Sequence, residues 1–388
     1  MKKSWQRYLR SMALAGVLGT VLSFGAVPVP HASANVWGAV IGAVQGGVVY
    51  SQIDKELRYY NNTEEGRQKL LASYKKKYGV NSDSYLNGQL DSMMDEMTRG
   101  IRAVDPTIDK KPYLYFINNE KSFNAFCSMG HVMSVNTGLY SMTTVPDELA
   151  VVLLHEMGHG QKDHVVKSVR KKAGVAVGAM VLSGAAGSSV ADAVLDIAVN
   201  QIDSVQITKP NEWAADNLAL TYLLNTNYNP GASAAMWQRV MEKMKSSSKN
   251  FAGEIFSPSD HPTDQQRRDN YSKRLTDLSG GNVKVKDGVV YVSDKKFVKP
   301  AATSAMSSPE RSYFIMGNLV AAYRTNQNAK DATVSGRTVL LGNQPIIECT
   351  QGDPEPQALA TWLNQIKSSK PIVVPDRELK IQKQAAAT

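Results

Sequence analysis

Cysteine is scarce in this chain: Cys127 and Cys349 are the only two in 388 residues. That excludes a disulfide-built scaffold, although an oxidising compartment would leave one bridge open. Glycine (28) and proline (16) stay near ordinary usage, which excludes collagen-like and low-complexity chains. A strong single-sign charge is also missing. The net charge is +9, and four of the basic residues, Lys2, Lys3, Arg7 and Arg10, fall in the first ten positions. The later basic runs, Lys75-Lys76-Lys77 and Arg170-Lys171-Lys172, read as solvated helix faces, so no nucleic-acid partner is expected. Histidine is rare as well, with six in the chain, and this scarcity makes its distribution informative.

With 43% hydrophobic and 20% charged residues, the chain is long enough for two or three folded units. The basic N-terminus, the apolar stretch Met12–Val27 and the small residues Ala32-Ser33-Ala34 read as a signal peptide over 1–34. The expected location is therefore exported, periplasmic or extracellular, in the cell envelope. An uncleaved anchor is disfavoured because the apolar run is shorter than a span needs. Residues 35–110 read as an N-terminal helical region, with polar helical patterns over Gln52–Tyr78 and Ser82–Ala103. Short β-prone runs at Tyr113–Asn118 and His131–Asn136 predict a small mixed sheet inside a domain spanning 111–280. In that domain Thr144 caps a helix with Pro146 just inside it. The uncharged, Gly/Ala/Val-rich stretch 173–191 reads as a close-packed helix pair, with peripheral membrane contact the alternative. Ser279-Gly280-Gly281 marks a boundary. Beyond it, a hairpin centred on Asp287-Gly288 opens a separate α+β module over 281–370, with a tail at 371–388. No internal repeat is apparent.

The chemistry concentrates in His155-Glu156-Met157-Gly158-His159. Two histidines four apart stand one above the other on a helix and can reach one ion, with Glu156 beside a water on that ion. A zinc held by two His and a third protein ligand keeps a position open for water and lowers its pKa. His155, His159 and His164 fall within ten residues, whereas a bland core would scatter them. Glu212 and Asp216, four apart on another helix, offer a third ligand and an acceptor for a ligating imidazole N–H; a solvated acidic face is the competing reading.

HExxH followed by E-x-x-A-D some fifty residues later resembles the zinc endopeptidases of the forty-eighth metallopeptidase family, the group that includes HtpX, the Oma-type proteases, BepA and the CAAX prenyl endopeptidase. Asn124-Ala125-Phe126 with Gly130 and Thr137-Gly138-Leu139 is similar to the family's NAF…G…tGL segment. Asp147-Glu148-Leu149-Ala150 resembles its EL-A, and Ser259-Asp260-His261-Pro262 with Arg267 resembles its SxHP…R. The resemblance covers roughly 110–275. It departs at His131, where the family often has Gly, and at Cys127 directly after the NAF triplet. There are no helical repeats after the catalytic unit as in BepA, nor multiple spans as in HtpX.

The resemblance implies an α+β fold: a mainly helical, zincin-like metallopeptidase domain with a small sheet, here followed by the C-terminal α+β module. It implies one Zn2+ per chain on His155, His159 and Glu212, with Glu156 as general base. Asp216 and His164 support the ligands, His261 and Arg267 act at the catalytic centre, and Asn124, Ala125 and Phe126 bind substrate. The expected function is hydrolysis of peptide bonds in polypeptide substrates, unfolded or envelope proteins. The alternative is a zinc-bearing, autoinhibited chaperone-like or binding protein of the envelope. The oligomeric state is left open.

Overall fold

The computed structural model describes residues 36–183, 190–200, 207–246 and 262–369. The signal-like segment 1–34, His261 and the 371–388 tail lie outside the described residues. Residues 1–50 and Ser51–Thr388 form two units. The first contributes only the opening of helix α1 (Val36–Asn62), while the remainder of α1 and every later element belong to the second.

The long helical pattern expected over Gln52–Tyr78 breaks at Thr63. Its side chain accepts the Gly66 N–H and starts α2 (Glu64–Tyr78), with Glu64 and Glu65 in the first turn and lysines in the last, as the helix dipole favours. Asp83 caps α3 (Ser84–Arg102), whose stripe Leu90, Met93, Met94, Met97 and Ile101 is buried.

Strands β1 (Leu114–Asn118), β2 (Ala125–Cys127) and β3 (Val132–Asn136) make a mixed sheet in the order β1-β3-β2. β3 pairs in parallel with β1 and antiparallel with β2, so β2 is an edge. Helix α2 packs over β1 and β3. After the short α4 (Thr137–Met142), α5 (Pro146–Gln161) packs against β2. The cap of α5 departs from expectation. Val145 occupies the cap position with no side-chain bond, while Thr144 donates its N–H to Glu148 Oε2 at 3.0 Å. Glu148 is fully buried and paired with Arg239 at 3.0 Å, and that anchored carboxylate takes over the capping role.

Helices α6 (His164–Ser183) and α7 (Val190–Val199) pack on each other. Among the described residues no helix is long and apolar enough to cross a membrane. Side chains at 176–189, where most of the 173–191 expectation falls, lie outside the described residues. Helices α8 (Lys209–Leu223), α9 (Ala232–Ser246) and α10 (Asp264–Leu278) complete the helical layer.

The last part contains β4 (Val283–Lys286), β5 (Val289–Val292), β6 (Lys295–Val298), α11 (Ser308–Arg324), β7 (Ala332–Ser335), β8 (Thr338–Leu341), β9 (Gln344–Glu348) and α12 (Pro356–Ser368). Asp287 (φ 52°) and Gly288 (φ 70°) form the expected two-residue hairpin turn with positive φ at both positions.

The structure also shows a repeat that the sequence hides. Each half is a three-stranded meander followed by a helix. β4 matches β7 and β5 matches β8 in their pattern of buried and exposed residues. The register shifts at the same place in both, between Val290 and Tyr291 and between Val339 and Leu340. Each helix covers its own first two strands and reaches the third strand of the other half. Only the in–out alternation is kept, not residue identity, so no repeat is legible in the letters.

Nor is this module separate in its packing. Its Val283, Val290 and Leu319 belong to one continuous core with Trp237 and Tyr271 of the preceding helices. Arg239 bridges Glu148 of α5 and Glu310 of α11 (3.0 and 3.3 Å), with all three buried. Asn229 donates its N–H to Asp147 (2.7 Å) and its amide to the Phe314 carbonyl (3.0 Å). Gly231 sits where a Cβ would overlap the Tyr313 carbonyl oxygen. The Gly231→Ala change should therefore force α11 away and cost about 1–3 kcal/mol in urea unfolding, in one cooperative transition for both parts because the core is shared.

Candidate metal centre and cleft

The site is made by three helices. α5 carries His155, Glu156 and His159, α8 carries Glu212 and Asp216, and α10 carries Arg267 and Tyr271. The α5–α8 approach is close because of Gly158: a Cβ there would lie 3.1 Å from the Ala215 carbonyl oxygen and 3.2 Å from its Cα. The sequence motif leaves this position free, and its role emerges only from the helix crossing.

At the crossing, His155 Nε2 and His159 Nε2 are 3.1 Å apart. Glu212 offers Oε2 to the first at 3.4 Å and Oε1 to the second at 3.3 Å. One ligand atom from each of these three buried residues lies within 4.8 Å of the others, the one such His/Cys/Asp/Glu group among the described residues.

The far sides of both rings are occupied. His155 Nδ1 is 2.8 Å from Asp216 Oδ1, so an N–H there donates to the carboxylate and leaves the Nε2 lone pair facing the group. His159 Nδ1 is 2.9 Å from His164 Nδ1. Burial, with His159 beside it, lowers His164 to about 4, so a neutral His164 can accept an N–H from His159 Nδ1. Two imidazole Nε2 atoms and a carboxylate converging on one point can hold a cation, and the donor set suits a divalent metal.

Asp216 is held more firmly than its neighbours. It accepts from Arg267 Nε at 2.8 Å and from Tyr271 OH at 3.1 Å, and Arg267 Nη2 also meets its Oδ1. Burial alone would raise this carboxyl, but Arg267 and the His155 N–H outweigh it and hold it at about 2. Conversely, burial and Arg267 would lower His155, and the Asp216 and Glu212 carboxylates outweigh them and raise it to about 9. The Arg267 guanidinium lies 3.7 Å from the centre of the Trp237 ring and is 1% exposed. Arg267 thus lies behind Asp216, on the carboxylate that meets His155. Trp237 and Tyr271 were not foreseen. Tyr271 one turn beyond Arg267 was a usable signal, whereas Trp237 was not, since it comes from another helix.

Glu156 is buried, and burial raises its carboxyl above the usual range, opposed by His155 and His159. Its Oε2 accepts the Cys127 N–H at 3.2 Å. That bond fixes the orientation of β2. Asn124, Phe126 and Ser128 pair with β3 through Asn136, Ser134 and Val132, so the main-chain groups of Ala125 and Cys127 point outward, over the edge. Asn124, Ala125 and Phe126 thus lie on the edge strand whose Cys127 N–H meets Glu156. The Cys127 thiol is buried, and burial and the nearby Glu156 push its pKa up. Cys349 is also buried and free, so the bridge left open from sequence is not formed.

His131, at the start of a β-prone run in the sequence, lies just before β3 rather than in it. It is 4% exposed, sits at φ 54° in the turn before β3, bonds the Lys111 carbonyl at 2.8 Å and stacks on Tyr113 at 4.4 Å.

Residues 84–275 match the sequence model of Peptidase family M48. This stretch is thus similar to a peptidase domain of that family. It is 24% identical over 217 residues to a putative beta-barrel assembly-enhancing protease of Vibrio cholerae, covering 54% of this chain and 42% of that one. To the beta-barrel assembly-enhancing protease of Escherichia coli it is 24% identical over 148 residues, 36% of this chain and 30% of the other. To the metalloprotease LoiP of Escherichia coli it is 26% identical over 185 residues, 46% and 69% respectively. The chain thus spans less than half the length of the two beta-barrel assembly-enhancing proteases.

Burial, with Lys111 nearby, lowers His131 to about 4. Between that value and the ordinary value of about 6.5, the unfolded chain binds a proton that the folded one does not. His131 therefore favours folding above this window, and the contribution is lost as pH falls through it. Thermal melts from pH 7 to 4.5 should show a smaller loss of Tm in His131→Asn, a residue that tolerates positive φ, than in the unaltered protein.

Proposed function

We propose that the protein is a zinc-dependent endopeptidase, with His155, His159 and Glu212 holding the metal and Glu156 as general base. The observation that carries this reading is the convergence of the two Nε2 atoms and the Glu212 carboxylate beside Glu156, with both Nδ1 atoms already committed. When bound there, zinc would polarise a scissile carbonyl and lower the pKa of a water.

The chain's own residues supply the rest. The outward Ala125 and Cys127 main chain would pair an extended polypeptide by strand addition, holding it through backbone bonds with weak dependence on sequence. Glu156, next to the Cys127 N–H, would take a proton from the water and return it to the leaving amine. Burial favours this by bringing its carboxyl closer to neutral pH. Asp216, clamped by Arg267 and Tyr271, keeps the His155 ring turned with Nε2 inward, and His164 does the same for His159. Unfolded or envelope polypeptides are the proposed substrates, with residues 1–34 directing export.

The Glu156→Gln variant should still bind one zinc per chain by metal analysis and lose at least about 100-fold in casein cleavage. Full cleavage by this variant, purified free of other proteases, would end the proposal. Chelation should lower Tm, and zinc at about 100 times its Kd should restore about 2.7 kcal/mol of stability. Glu212→Gln should respond far less to the same additions.

A further inference from the structure

We propose that Phe126 and Tyr78, backed by Tyr74, form an apolar shelf that selects a bulky apolar or aromatic side chain in the polypeptide laid along β2. This deepens the endopeptidase reading and rests on it.

Alternation along β2 sends the side chains of Ala125 and Cys127 to one face, where they are buried, and the half-buried Phe126 to the other. The second face is the one α2 covers. The Phe126 ring lies 5.1 Å from that of Tyr74 and 5.6 Å from that of Tyr78. Tyr74 is fully buried and its hydroxyl bonds Ser128 Oγ at 2.6 Å. Lys77 Nζ lies 4.6 Å over the Tyr78 ring and is tied to the Val199 carbonyl at 2.8 Å, so Tyr78 contacts an anchored cation as well as Phe126.

Just beyond β2, Asn61 accepts the Gly130 N–H and Arg67 Nε donates to the Gly130 carbonyl, each at 2.7 Å. The edge strand is therefore fixed from α1 and α2, and Tyr74 and Tyr78 precede the residues matched to the family, which begin at 84.

A strand added antiparallel to β2 places one residue opposite Phe126 on the same face, with Cβ atoms about 4.5–5.5 Å apart. Its neighbours on either side turn towards α5. Because the adjacent Cys127 N–H contacts Glu156, the selected residue falls within about two positions of the bond cut. The chemistry recognised is a large apolar side chain, received by two half-buried rings with little freedom to move.

The test is to digest casein with the unaltered enzyme and with Tyr78→Ala and Tyr78→Phe, mapping every cut by mass spectrometry. Synthetic peptides carrying Phe or Ser at the enriched position are then compared. The expected result is enrichment of large apolar residues at one position within two of the cut, and a Phe-over-Ser preference in kcat/KM that falls roughly tenfold in Tyr78→Ala. The change should sit in KM, with the preference retained in Tyr78→Phe. Absence of enrichment, or an unchanged preference in a folded Tyr78→Ala, would overturn the shelf while Glu156-dependent cleavage still upheld the endopeptidase. Cleavage that does not depend on Glu156 would overturn both. If Tyr78→Ala fails to fold by circular dichroism, Phe126→Leu serves in the same comparison.

Discussion

Five ionisable groups, His155, His159, Glu212, Asp216 and Arg267, meet where α5, α8 and α10 converge, and taking charges out of water costs several kcal/mol each unless they are paired. The pairing here is close to complete around one residue. Asp216 accepts from His155, twice from Arg267 and once from Tyr271, and Arg267 is in turn covered by Trp237. What is left facing inward is the Nε2 atoms and the Glu212 carboxylate. The geometry of the candidate metal centre is thus set from behind, by buried groups.

The same economy shapes the edge of the sheet. Cys127 has one outward N–H, and in this structure it is bonded to Glu156. One main-chain group therefore both orients the candidate base and lies on the path an added strand would take. The second face of β2 is finished by α2, ahead of the matched domain, so a part of the chain outside the family region packs on the edge strand.

The C-terminal half-repeats are tied in by a different device. Arg239 joins the start of α5 to the start of α11 through two buried carboxylates, and Gly231 removes the side chain that would keep the helices apart. Two small meanders, each too small to bury its own apolar face, borrow each other's helices and the core beneath α9 and α10.

Local chemistry was legible in the letters. The four-residue spacing of His155 and His159 and of Glu212 and Asp216, the Asp287-Gly288 turn, and the β-prone runs around Phe126 all act over one helical turn or one strand. Local spacing is a physical constraint that sequence states directly. What only the tertiary structure decided depends on partners distant in the chain. Arg267 turned inward to Asp216 because an unpaired buried carboxylate would be too costly. His131 was drawn from an expected strand into a buried turn against Tyr113. The cap of α5 passed from Thr144 to Glu148 because Arg239 holds that carboxylate in place. The duplicated meanders kept burial alternation and discarded residue identity, so packing alone reveals them.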